Sequence, residues 1–142
     1  MSRHAERSQA LTEFALVMPI FLALLLLTFE AGRLMFTWSC LIEGSREGAR
    51  TAVLAHTTTT SQVVNATLDL TAWTGVTGAN VSISRNGSVV SGTFTKQRGD
   101  AIAVSIAYTY TVYIAQTLGP GWPGVPFTSL PISVQTRMRA EG

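Results

Sequence analysis

The chain has 142 residues, enough for one small domain beside a membrane helix, and a formal net charge of only +2. Its arginines are scattered and no basic patch interleaves with aromatics, which argues against nucleic acid as a partner. The single cysteine, Cys40, excludes an intramolecular disulfide.

Residues 1–8, MSRHAERS, are short, polar and net positive, and read as a cytoplasmic leader. Residues 9–54 read as one long helix, first transmembrane and then amphipathic. Phe14 to Phe29 carries no charge and is closed by Glu13 and Glu30. At 1.5 Å per residue these roughly 16 residues span about 24 Å. That is slightly short of a hydrocarbon core of about 30 Å. Ala10 and Leu11 before the run, and Ala31, Gly32 and Leu34 after it, extend it. Glu13 at the leading edge is costly in lipid unless it reaches the headgroups or finds a partner. Pro19 removes a helical hydrogen bond, which in lipid predicts a bend and not an end. A buried helix of a soluble protein would need partner helices that the rest of the chain does not offer. A cleavable secretory signal fits the charged start and apolar centre, but no small-x-small cleavage site follows.

The second half of the helix keeps an apolar stripe: Leu34, Trp38, Leu41/Ile42, Ser45, Ala49 and Ala52/Val53. Glu30–Arg33, Glu43–Arg46 and Glu47–Arg50 are spaced to pair along one helix face, worth a few tenths of a kcal/mol each. Such a face is either solvated or packed on neighbouring copies or on the attached domain. Gly44, Ser45, Gly48 and Ala49 permit close helix approach, so Trp38, Leu41, Gly44 and Gly48 are the candidate packing residues. Cys40 on this half is a free packing residue or the site of an intermolecular disulfide.

Residues 55–78 read as a linker with a second, short helix. His56 to Thr60, HTTTT, is a break. Ser61 to Trp73 places Val64, Leu68 and Thr71/Trp73 on one side, with Ser61 as N-cap. Residues 79–142 read as an extracytoplasmic β-domain. Val81, Ile83 and Arg85 alternate with serines, and Asn86-Gly87 predicts a type I′ hairpin turn. Val89 or Val90 through Lys96 is the returning strand, and Arg98-Gly99-Asp100 turns again. Ile102, Val104, Ile106, Tyr108, Tyr110 and Val112 share one face of a long strand. A Pro/Gly loop over Leu118 to Phe127 follows, then a last alternating strand with Leu130, Ile132, Val134, Thr136 and Met138 on one face. The expected fold is α+β, a long N-terminal helix packed on a small antiparallel sheet whose apolar face the amphipathic helix half covers.

The segment SQALTEFALVMPIFLALLLL, followed by FEAGRLMF and SREGARTAV, resembles the TadE-like family of minor pilins or pseudopilins of bacterial tight-adherence (Flp-type) pilus systems. The shared features, over residues 8–51, are a small residue, four spacers, Glu-Phe, an Ala-Leu-Val-x-Pro run and a distal Arg-Glu-x-Ala-Arg. The chain departs at Ser8, where the family usually has Gly. The resemblance implies a pilin-like fold and a structural or assembly role. It also implies a single pass through the inner membrane with the C-terminal domain extracytoplasmic. The orientation rests on it, because arginines flank the span on both sides. It implies other pilin-like subunits as partners, and a prepilin peptidase cutting between Ser8 and Gln9. Glu13, fifth in the mature chain, would then pair with a freed α-amino group during assembly.

Catalysis finds little support. His4 and His56 lie far apart, and between Thr51 and Ala140 only Asp69 and Asp100 carry carboxylates. No Cys/His metal set, phosphate-cradling loop or nucleophile motif is present, so no cofactor is expected. Arg98-Gly99-Asp100 reads as a tight turn before it reads as an adhesion motif. Asn65, Asn80 and Asn86 fit the glycosylation pattern, which Ser/Thr-rich strands produce readily. Trp122 and Phe127 either pack on the sheet end or contact a partner. The alternative to an assembly protein is a bitopic anchor whose β-domain binds an envelope partner or ligand. A secreted β protein with a cleaved signal is a third reading.

Overall fold

The computed structural model describes residues 2–114 and 129–141, with side chains from residue 9 onward. The predicted Pro/Gly loop with Trp122 and Phe127, and the side chains of the leader, lie outside the described residues. The chain divides into two compact units, Met1–Leu34 with Val112–Thr128, and Met35–Thr111 with Ser129–Gly142.

The first element is a single helix, α1, Ser2–Leu54, of 53 residues. It runs through Pro19 without ending. In its first unit, residues 9–29 are exposed throughout. The helix is long and apolar enough to cross a membrane, with a best-window mean hydropathy of 2.4.

In the second unit, α1 is followed by β1 (Thr57–Thr59), α2 (Thr60–Thr71), β2 (Val81–Arg85), β3 (Ser88–Val89), β4 (Thr93–Thr95), β5 (Ala101–Thr111) and β6 (Ser129–Arg139). The strands form an antiparallel four-stranded sheet, ordered β3-β2-β5-β6, and a separate antiparallel pair, β1-β4. This is the expected α+β arrangement of a long helix with small antiparallel sheets.

The predicted turn at Asn86-Gly87 is present, with both residues at positive φ, 52° and 90°. The Asn86 amide donates to Asp100 Oδ1 at 2.8 Å, and its oxygen accepts from Ala101 N at 2.9 Å. The returning strand differs from expectation. It is not one strand over 89–96. β3 ends at Val89, and β4 leaves the sheet to pair with β1. Gly92 makes the break, at φ 78°. Its backbone is clamped to the start of α2: Thr60 N donates to Gly92 O at 2.9 Å, and Gly92 N donates to Thr60 Oγ1 at 3.0 Å. Within HTTTT, Thr57–Thr59 is accordingly a strand, because Phe94 and its neighbours supply a partner that no local pattern reveals.

The N-cap of α2 is Thr59 and not Ser61. Thr59 accepts from Gln62 N at 3.3 Å while its own N–H donates to Gln62 Oε1 at 3.0 Å, a reciprocal capping box. Of the expected face Val64, Leu68 and Thr71/Trp73, Thr71 is buried, Val64 and Leu68 are half-buried and Trp73 is exposed; the fully buried line is Val63, Thr67 and Thr71.

β5 and β6 pair over their full lengths, and the register sets Ile102 opposite Met138, Val104 opposite Thr136 and Ile106 opposite Val134. The predicted apolar faces of the two strands thus coincide. Pro131 sits on β6, an edge strand, where a missing N–H costs no ladder bond on the open side. The core gathers Ala49 and Ala52 of α1, Val63 of α2, Ile83 of β2, Phe94 of β4, and Ile102 and Val104 of β5. Burial of each of the larger side chains is worth about 1.5–3 kcal/mol.

Candidate functional site

In the first unit the chain presents a helix surface with one ionisable side chain between residues 9 and 29, Glu13, which is exposed. Gln9 is exposed one turn before it, and Ser8 and Gln9 both lie within α1. The far end of the apolar run is closed differently. Glu30 Oε1 accepts from Arg33 Nη2 at 2.8 Å and from Tyr113 N at 3.2 Å, and the Arg33 guanidinium lies 4.0 Å from the centroid of the Tyr113 ring. The predicted Glu30–Arg33 pair is therefore neutralised and partly buried at the point where charge re-enters the helix. Glu43–Arg46 and Glu47–Arg50 also pair, at 3.0 and 3.5 Å, in more exposed settings.

In the second unit the distal SREGAR segment divides by helix geometry. Ser45, Gly48 and Ala49 face inward, while Arg46 and Arg50 face out. Ser45 Oγ donates to Ile42 O at 2.8 Å, which leaves Thr136 as donor in the 2.6 Å bond between the two hydroxyls. That bond ties α1 to β6. Leu41 is fully buried. The two candidate glycines lie against α2. A Cβ on Gly44 would come within 2.5 Å of Thr71 Cγ2 and 3.0 Å of Thr67 O, and one on Gly48 would overlap Thr67 Oγ1. Thr67 and Thr71 cannot turn away freely, because each hydroxyl donates to the carbonyl four residues earlier, at 2.9 Å. The sequence reading placed Thr71 on the face of the short helix and missed Thr67. Their i,i+4 spacing on a short helix was the available signal.

Trp38 corrects the predicted stripe. It is 44% exposed, and Thr37 at 7% takes the inward position. The buried line runs Thr37, Leu41, Ser45, Gly48/Ala49, Ala52. One residue of shift is about 100° around a helix, so an apolar side chain counted into the stripe falls outside it. Cys40 is half-buried and free.

The predicted turn at Arg98-Gly99-Asp100 is present, with Gly99 at φ 90°. Asp100 accepts from Gln97 N at 2.8 Å and from the Asn86 amide, and Arg85 lies 3.8 Å away. These contacts, the Gln97 N–H first and Asn86 next, outweigh burial and hold the carboxyl below its ordinary pKa. The resulting stability is present above the unfolded pKa and is lost as pH falls through the lowered folded value. The carboxylate is thus oriented by its own turn and by the Asn86 hairpin. Beside it, a shallow depression is lined by Leu54, His56, Lys96, Gln97, Arg98, Ala140 and Glu141. Lys96 is 7% exposed and its Nζ has no hydrogen-bond partner. Burial lowers its pKa. The charged form is therefore penalised below the folded pKa, and the penalty is relieved as pH rises toward 10.5. Lys96→Met is expected to raise the melting temperature at pH 7, with the gain shrinking near pH 10.5. Thermal melts of both proteins at the two pH values check this.

Among the described residues, no group of three or more His, Cys, Asp or Glu could hold a metal ion. Residues 9–50 match the family model described as TadE-like protein, which covers under a third of the chain. No curated protein and no solved structure matches it.

Proposed function

We propose, from the TadE-like stretch over residues 9–50, that this chain is a minor pilin or pseudopilin of a bacterial tight-adherence pilus or related secretion machinery. The observation that carries the reading is the first unit of α1: residues 9–29 are exposed, apolar, and interrupted by a single carboxylate. Such a surface belongs in lipid, or among the helices of like subunits. The span anchors the chain in the inner membrane, with the β-domain extracytoplasmic, until the helix is drawn into a filament base or tip.

Glu13 gives that transfer a register. Cleavage between Ser8 and Gln9 frees an α-amino group one helical turn from the carboxylate. In a low-dielectric setting, the freed ammonium pairs with Glu13 of its own or an adjacent helix, and an unpaired carboxylate is disfavoured. Ser8 bears a side chain at the position the peptidase reads. Mass spectrometry of the native protein from cells with an active prepilin peptidase is expected to find Gln9 at the N-terminus. An intact leader there would defeat the cleavage claim. Glu13→Ala is expected to leave membrane insertion intact and to abolish co-purification with other pilin-like subunits. Normal assembly by that variant would remove the carboxylate's role. A wild-type chain that never co-purifies with such subunits would favour the bitopic anchor instead.

A further inference from the structure

We infer that the depression beside the 98–100 turn binds a small monocarboxylate with an apolar body, held by the Lys96 ammonium. The lining residues all belong to the second unit, so the site stands apart from the pilin reading. Backbone pairing builds it. Lys96 N donates to His56 O at 3.2 Å, which continues the β1–β4 pair by one residue and sets Lys96 opposite His56. Gly99 N donates to Ala140 O at 2.9 Å, and Ala140 N donates to Asp100 O at 2.8 Å. These two bonds draw Arg98 and Glu141 to the same rim. Leu54, at the end of α1, and Ala140 give the depression apolar lining. Its volume is about 460 Å³. Small-molecule sites run from roughly 300 to 1,000 Å³.

Lys96 is the one buried charged side chain among the described residues, and its Nζ has no hydrogen-bond partner among them. The Glu141 carboxylate is exposed and does not satisfy it. A buried ammonium left in this state is costly, and pairing with an oxyanion removes that cost. The flexible lysine stem lets the ammonium turn to meet the anion. The class of ligand follows from charge and donors. Lys96 and Arg98 against Glu141 leave one net positive charge, which matches a monoanion. A phosphate dianion is best held by a nest of free backbone N–H groups. Here the N–H groups of Lys96, Gln97, Gly99 and Asp100 are already donated to protein oxygens. A neutral amide or alcohol would leave the ammonium uncompensated. The exposed Leu54 side chain then favours an acid whose body is apolar.

The test titrates the full chain in nonionic detergent micelles with N-acetyl-leucinate, by isothermal calorimetry. N-acetyl-leucinamide and inorganic phosphate are the comparators. A ligand of about a dozen non-hydrogen atoms is expected to bind with a Kd near 1 mM. Both comparators are expected to bind about tenfold more weakly or worse. Lys96→Met, expected above to melt higher than the parent, should lose about tenfold or more in affinity for the acid. Glu141→Gln should tighten binding, because it removes a competing carboxylate from the rim. Equal binding of the acid and its amide would show an apolar depression alone and overturn the inference. Parental affinity in Lys96→Met would overturn it as well, as would phosphate binding more tightly than the acid. Weaker binding by Glu141→Gln, or no saturable binding of the acid up to about 50 mM, would do the same.

Discussion

Leu41→Asp is expected to unfold the second unit in detergent micelles, while Trp38→Asp leaves a cooperative melt. Leu41 is fully buried on the inward line of α1. Truncating a buried leucine to alanine alone costs about 2–5 kcal/mol. An aspartate adds an unpaired carboxylate at a site where charge is far more expensive than a cavity. Small domains hold only about 5–15 kcal/mol in total. Trp38 is 44% exposed, so its replacement removes part of a packed ring and buries no charge. A loss of about 1–2 kcal/mol is expected there. Near-UV circular dichroism melts of the two variants check the ordering. A cooperative Leu41→Asp melt near the parent's temperature would mean that α1 does not pack on the sheet as described.

Gly48→Val is expected to be the most damaging of the small substitutions, by about 3 kcal/mol or more, because it exceeds ordinary overpacking. The added Cβ overlaps Thr67 Oγ1 and lies 3.4 Å from Val104 Cγ1, so it is wedged between α2 and the sheet. Thr67 is fully buried and its hydroxyl is committed to Val63 O, so neither neighbour yields cheaply. Thr67→Ala should recover part of the loss, since it removes the clashing oxygen. A double-mutant cycle by denaturant unfolding measures that coupling. Additive effects would show that α2 does not rest on Gly48. Gly44 differs in one respect: its added Cβ meets the backbone carbonyl of Thr67, so no side-chain change on α2 relieves it fully.

Much of the architecture was legible without coordinates because it follows from local rules. The uncharged run, its continuation through Pro19, the two-residue alternation of β5 and β6 and the Asn86-Gly87 turn are each written within a few neighbouring residues. The coincidence of Ile102, Val104 and Ile106 with Met138, Thr136 and Val134 follows once two alternating strands must bury one face each. The stripe on α1 was legible as a direction and missed by one position at Trp38, because periodicity cannot say which edge of an apolar arc the sheet covers.

What only the tertiary structure decided depends on partners distant in sequence. β4 leaves β3 because Gly92 turns and β1 is waiting, so Thr57–Thr59 becomes a strand where composition shows only a break. Gly44 and Gly48 signalled close approach, but that Thr67 and Thr71 fill the space was decided only by how α2 packs against α1. Ser45 and Thr136 form a bond across 91 positions, and Phe36 meets Trp73 across two helices. Hydrophobic periodicity reports which side of an element avoids water. It carries no address for the group that lies opposite, and that address is supplied by closing the chain around a shared core.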